Sequence, residues 1–276
     1  MSAVNVLSGE VASSPQAAGT TRRRLVVAWQ HPTERSICPV GILSFDGSRY
    51  RFHYIANVRS EADFRPFLGF PDFAATYESD HLFPLFSQRA MAPRRPDYRR
   101  WVTRLGLDDD ATPWEQIARS GGPREGDTIQ LFPVPRIDEG LLACSFLVHG
   151  IRHIPESSLT YGQENHTISR DELEEELSRL HPGDRLLLAD EPHNPFNPRA
   201  ILTTTAADFP LGWVPDLLVE DLHRVGERSS IDVRVQQVND PEAGWHLRLL
   251  VQLTAPVPEG FEVFQGDHWA PYDDSN

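Results

Sequence analysis

The stretch 183-GDRLLLADEPHNPFNPRAILTTT-205 places two β-rich runs, 185-RLLLAD-190 and 199-RAILTTT-205, on either side of an eight-residue gap. A parallel crossover needs about a dozen or more residues, so strands this close belong to a small β-barrel or curled sheet. The gap holds Pro192, Pro195 and Pro198, with two Asn-Pro pairs at Asn194 and Asn197. A residue before proline avoids the helical region, and asparagine bonds its own backbone. Two readings follow. The segment is a turn-rich connector with no ligand, or it is a stiffened loop that holds something.

Outward from this loop the C-terminal half keeps the same character. The run 141-LLACSFLVHG-150 is a fully apolar strand. In 169-SRDELEEELSRL-180, Ser169 and Glu172 form a capping-box pattern at the start of a helix. The strand 211-LGWV-214 leads into a helix with Pro215 at its first position and Leu217, Leu218, Leu222 and Val225 on one side. The runs 231-IDVRVQQV-238 and 245-WHLRLLVQL-253 alternate around 239-NDPEAG-244 as a closing hairpin. Five or six short strands and two helices make a small β-barrel or curled sheet with helical inserts.

The N-terminal half is also β-rich. It has a strand at 25-LVVAWQ-30, a hairpin around Asp46-Gly47, and a strand at 127-DTIQLF-132. Helices are expected at 97–107, with Asp97 as N-cap, and from Thr112, with Pro113 at N1. The second ends at Gly121-Gly122. The fold class is therefore α+β, mainly β. Residues 1–24 read as a disordered tail, 25–135 as a β-rich α+β domain, 140–255 as the barrel, and 256–276 as an acidic tail, loose from Gly266. The segment 133-PVPRIDEG-140 reads as the connection between domains.

All 26 basic residues are arginine, and the net charge is −14. The charge is uneven: residues 1–136 carry about +2, and residues 137–276 carry −16. Such an acidic half disfavours tight, sequence-blind binding to a phosphate backbone. No apolar run approaches the ~18 residues of a membrane span, and no signal peptide is evident. Cys38 and Cys144 have no CxxC partner and read as buried thiols in a reducing cytoplasm.

Catalytic patterns are absent: there is no GxSxG, HExxH or kinase-like motif. The loop 121-GGPREGDT-128 runs from helix to strand, opposite to a phosphate-cradling loop. His149 and His153 are four apart, but Gly150 and Pro155 rule out a shared helical face, so no metal or other cofactor is expected. The densest cationic run, 89-RAMAPRRPDYRRW-101, offers Arg94, Arg95, Arg99 and Arg100 as a partner or phosphate patch, or as a solvated helix face.

Taken together, 149-HGIRHIP-155, the opening stretch and 211-LGWVPDLLVEDL-222 resemble the HIRAN domain. The resemblance implies an OB-like barrel that captures the 3′-hydroxyl end of single-stranded DNA. It places Arg152 near the terminal phosphate and His153 and Phe196 at stacking positions. Asn194 and Asn197 would bond the terminal hydroxyl, Asn197 standing where the family has Asp, and Trp213 offers a further stacking face. Asp216 falls where helicase members have a basic residue. Region 26–132, through 41-GILSFDGSRYRFHYI-55, 82-LFPLFSQRAM-91 and 112-TPWEQIARSGGPREGD-127, resembles the N-terminal subdomain of HipA-like proteins without the kinase core.

These features lead to the expectation of a non-catalytic module that binds single-stranded DNA 3′ ends, weakly, in DNA processing or repair. The alternative is a protein-interaction adaptor for a DNA-metabolism enzyme or kinase, with no direct DNA contact.

Overall fold

Strand β1 (Arg23–Gln30) is buried on both faces from Leu25 to Ala28. Side chains alternate across a strand. Leu25, Val27 and Trp29 therefore enter one core, rich in aromatic rings, while Val26 enters a second, largely aliphatic core. The computed structural model describes residues 23–33, 36–122, 128–157, 159–161 and 164–274. The tail expected over 1–24 lies almost wholly outside these residues, as does most of the glycine-rich loop at 121–128.

The first sheet runs β4-β3-β2-β1-β5, with β2 (Ile37–Phe45), β3 (Tyr50–Tyr54), β4 (Thr76–Ser79) and β5 (Ile129–Pro133), all antiparallel. The Asp46-Gly47 turn forms as read. Asp46 Oδ1 accepts from the N–H groups of Arg49 (2.9 Å) and Ser48 (3.0 Å), and these bonds hold its carboxyl far below the usual range. One face buries Phe52 and Tyr54 edge to face at 4.9 Å, with Phe70 4.7 Å from Phe52. Helices α1 (Pro84–Ser87) and α3 (Pro113–Ser120) bring Phe86, Trp114 and Ile117 into this core, while α2 (Tyr98–Arg104) buries Tyr98 and Val102 in a separate small cluster with Ala111. Thr112 and Glu115 make a reciprocal capping box on α3. Asp97 sits at the N-cap of α2 but makes no capping bond. Its carboxylate is taken by Arg95, at 3.0 Å through both oxygens, because a guanidinium fork outcompetes a single amide.

The second sheet runs β12-β11-β10-β13-β14-β7-β6 and is antiparallel throughout. Its strands are β6 (Arg136–Asp138), β7 (Leu141–Leu147), β10 (Arg185–Asp190), β11 (Ile201–Thr204), β12 (Pro210–Trp213), β13 (Asp232–Val238) and β14 (Leu249–Pro256). A small hairpin, β8 (Leu159–Tyr161) and β9 (Glu164–His166), precedes α4 (Arg170–Arg179). Helix α5 (Asp216–Val225) follows β12. The sheet curls into a half-barrel. At its far edge His149 and Trp213 exchange both backbone hydrogen bonds at 2.9 Å, which brings β12 back to the end of β7. The fold is thus α+β and mainly β.

Four local expectations change. The connection at 133–140 contains β6, which pairs with β7 through a turn at Glu139-Gly140. Helix α5 starts one residue later than read, with Pro215 as N-cap. Trp245–Leu247 is a 3-10 turn rather than the start of a strand. The acidic tail is not loose. Phe261, Val263, Phe264 and Trp269 pack on the half-barrel core, and Tyr272 packs on the aromatic core. Main-chain bonds from Ala56 N–H to Ala270 (2.8 Å) and from Tyr272 N–H to Tyr54 (2.9 Å) fix its end to the first sheet, and Arg59 donates to the Asp273 carbonyl. Aromatic residues spaced among the acids find apolar cover, and burial outweighs the local charge.

Two glycines permit the His149–Trp213 closure. A Cβ at Gly150 (φ +66°) would stand 2.5 Å from Trp213 Cε3, and one at Gly212 (φ +151°) 2.5 Å from the His149 carbonyl. Gly150→Ala and Gly212→Ala are each expected to lower stability by about 2–4 kcal/mol in urea unfolding. Gly226→Ala, where a Cβ meets open space, serves as the control and is expected to cost about 1 kcal/mol. Equal effects at all three positions would contradict the tight closure. Removing residues 260–276 is expected to cost about 3 kcal/mol or more and to raise binding of an apolar dye; an unchanged urea midpoint would contradict the strap.

Candidate functional site

Where the two sheets diverge from their shared contact, a groove of about 620 Å³ opens. One wall is the end of α3 and β5, and the other is the end of β7, the following 3-10 turn (Ile151–Glu156) and the start of α5. Its ionisable lining is Arg119, His149, Arg152, His153, Asp216 and His246, with Trp245 as the aromatic member. In a chain of net charge −14, this is a locally cationic surface.

Arg152 and His153 are held by the turn that starts at Gly150. Arg152 Nε donates to His153 Nε2 at 2.9 Å, and His153 Nδ1 lies 3.0 Å from Glu156 Oε2. An imidazole nitrogen that accepts from a guanidinium carries no proton, so the proton sits on Nδ1 and is donated to Glu156. The chain guanidinium–imidazole–carboxylate fixes the ring by its edge and leaves its faces open. His149 is exposed in the groove; desolvation where its ring meets the groove wall lowers its pKa, against an opposing pull from Asp216. His246 is lowered by burial first and by the nearby Arg152 charge second.

The proline-rich loop is built as two successive asparagine turns. Asn194 Oδ1 accepts from the N–H groups of Phe196 (3.0 Å) and Asn197 (3.1 Å), and Asn197 Oδ1 accepts from the Arg199 N–H (2.9 Å). Asn194 Nδ2 and Trp213 Nε1 both donate to Oε2 of the buried Glu191, at 2.7 and 2.6 Å. So the loop is pinned to β12 from within. Phe196, at its tip, is 93% exposed. Asn197 Nδ2 donates to Asp216 Oδ1 at 3.0 Å, which ties the loop to the groove wall.

This geometry sorts the residues read from sequence. Arg152 and His153 line the groove. Phe196 stands free on the adjoining loop, one residue from the Asn197–Asp216 bond. Asn194 is a scaffold: its oxygen and its amide nitrogen are both engaged within the loop. Asn197 is likewise bound at both ends, so it is a poor acceptor for a ligand hydroxyl. Trp213 packs against Gly150 and donates its indole N–H to Glu191, a supporting position rather than an open stacking face. The arginine patch lies elsewhere, on and before α2, and is half neutralised. Arg95 pairs with Asp97, and Arg99 lies 3.2 Å from Asp109. Arg94 and Arg100 are exposed, and the Arg100 charge reaches Asp97, where it adds to the pull of Arg95 on that carboxylate.

Several groove residues carried no signal in the sequence. Trp245 lies in a stretch that reads as strand. Its ring is held by cations, with the Arg170 guanidinium 5.1 Å and that of Arg248 5.4 Å from its centroid. Arg248 is itself buried and fixed through Nη1, which donates to both oxygens of Glu174 at 2.7 and 2.8 Å. Arg119 is on the exposed-looking side of α3 and enters the groove because β7 crosses there. Asp216 reads as out of place for an anion site, but it is the first residue of α5, where the helix dipole favours a carboxylate. Among the described residues no group of His, Cys, Asp or Glu is arranged to hold a metal ion, and no helix is long and apolar enough to cross a membrane.

The chain matches no family model and no curated protein. Among solved structures it is similar to a protein from Lactobacillus plantarum, at 19% identity over 42% of this chain and 97% of that one, with a TM-score of 0.29. That likeness is too slight to carry an argument about fold or function.

Proposed function

We propose that the groove binds the 3′ end of a single-stranded nucleic acid, DNA in the first instance, and that the protein is a non-catalytic recognition module in DNA processing. One observation carries the reading. The pinned loop holds Phe196 out in water, and its next residue is bonded to the wall of an arginine- and histidine-lined groove. A large ring held rigidly in solvent beside cationic side chains suits a base that stacks while its phosphate is met below. Phe196, the faces of His153 and Trp245 are the stacking surfaces, and Arg152 is the phosphate contact. The HIRAN-like motifs support the same assignment.

The hydroxyl acceptor shifts in this reading. With Asn197 engaged on both sides, Asp216 supplies the acceptor from α5, and Asn197 positions it. A carboxylate accepts with charge assistance, as an amide cannot. It also repels a terminal phosphate, so the residue that disfavours phosphate in general becomes a device for choosing hydroxyl ends. Two buried cysteines, with the Cys144 pKa pushed up to about 12 by burial, fit a reducing, cytoplasmic setting.

Fluorescence anisotropy with matched 3′-hydroxyl and 3′-phosphate oligonucleotides tests this. Micromolar binding that prefers the hydroxyl end is expected, with Phe196→Ala weakening it roughly ten-fold or more. Asp216→Asn is expected to lose most of the preference while keeping binding. Indifference to the end group, or to Phe196→Ala, contradicts the proposal. Because His149 and His246 are held below the ordinary imidazole value of about 6.5, they are neutral at pH 7.5 and gain charge only below that value. Affinity is therefore expected to rise as pH falls from 7.5 to 5.5, and a flat profile would remove both histidines from the phosphate contact.

A further inference from the structure

A second groove, of about 880 Å³, runs on from the first along the seam. The two share Ala118, Arg119, Pro133 and Ser145, so Arg119 stands on a wall common to both. Arg119 is half-buried. Its Nη1 donates to Gln236 Oε1 at 3.2 Å, and it pairs with no carboxylate among the described residues. Burial accordingly drives its pKa down with nothing to oppose it. A cation withdrawn from water without a counter-charge is costly, and it marks where an anion would be gained.

The second groove continues this imbalance. Arg24 and Arg136 line it, both exposed and without a carboxylate partner among the described residues. Arg23 lies 3.9 Å from Glu115, but Glu115 is already engaged by the Thr112 hydroxyl and N–H in the α3 capping box. Glu262 is the other acid of the lining. Four arginines therefore face two carboxylates along a channel that opens into the proposed end site, in a chain whose charge is strongly negative overall.

We infer that the second groove carries the phosphates of the same strand several nucleotides away from its end, with Arg119 at the junction and Arg24 and Arg136 beyond it. This rests on the end-binding reading above. The first groove would select the end, and the second would lengthen the footprint without reading sequence, because arginine contacts to phosphate are indifferent to the base.

The test compares a 3′-hydroxyl trinucleotide with a decanucleotide of the same end, at several salt concentrations, on the full chain and on the Arg24→Gln/Arg136→Gln variant. The decanucleotide is expected to bind roughly ten-fold tighter or more, with a log–log salt slope steeper by about 0.7 for each added phosphate contact. The variant is expected to lose that gain and the extra slope while binding the trinucleotide as before, with an unchanged urea midpoint. A length gain that is absent, or that survives in the variant, overturns this inference and leaves the end-binding reading standing if the trinucleotide still prefers the hydroxyl. A trinucleotide that shows no such preference overturns both.

Discussion

The two-faced burial of β1 is the constraint on which the molecule depends. Val26 faces the half-barrel core while Leu25, Val27 and Trp29 face the aromatic core. A strand in the middle of a sheet that is also packed on both faces has no solvent side, so its run of apolar residues is obligatory. At about 1.5–3 kcal/mol for each large side chain removed from water, Val26 ties this strand to the half-barrel core. Phe132 on β5 adds to the same contact. The C-terminal segment closes the arrangement from outside, placing Phe264 against Trp269 at 4.6 Å and Tyr272 beside Phe73 at 5.5 Å.

The grooves follow from that contact. Two twisted sheets packed at one place must diverge elsewhere, and the polar groups of the divergent region remain wet. There the ends of β5, β7 and α3 leave Arg119 half-buried and His149 exposed, while the 3-10 turns at 151–156 and 245–247 pack beside each other and supply Arg152, His153, Trp245 and His246. The loop at 191–200 stands beside this opening with its internal bonds already made. A ligand therefore meets an ordered surface and loses less entropy than a floppy loop would cost.

Much of this was legible in the sequence, and the reasons differ by element. Caps and turns were readable because they are local: Ser169 with Glu172, Thr112 with Glu115, and Asp46-Gly47 all form as their residue types require. Strand spacing gave the antiparallel, curled second sheet. What escaped depends on contacts distant in the chain. The strap formed by residues 257–273 reads as an acidic tail, loose from Gly266, because its few aromatics reveal nothing until the cores they cover are in place. The groove was half visible. Arg152 and His153 were found by motif, whereas Trp245, His246 and Arg119 come from elements with no shared pattern. Asn194 and Trp213 read as ligand contacts, but both are bonded to Glu191, which makes them supports for the loop. Asp216 could not be understood alone, because its meaning lies in a 3.0 Å bond to a residue nineteen positions earlier.

The central claim is that a nucleic-acid end sits in the seam groove beside Phe196. The six tryptophans provide the most direct measurement of it, through their indole N–H resonances during titration with a 3′-hydroxyl trinucleotide. The account predicts a large, saturable shift of the Trp245 indole. Trp213, its N–H bound to Glu191, should move less, and Trp101, which lines neither groove, should stay still. A titration that leaves Trp245 unmoved, or one that moves Trp101 beside the arginine patch instead, would contradict it.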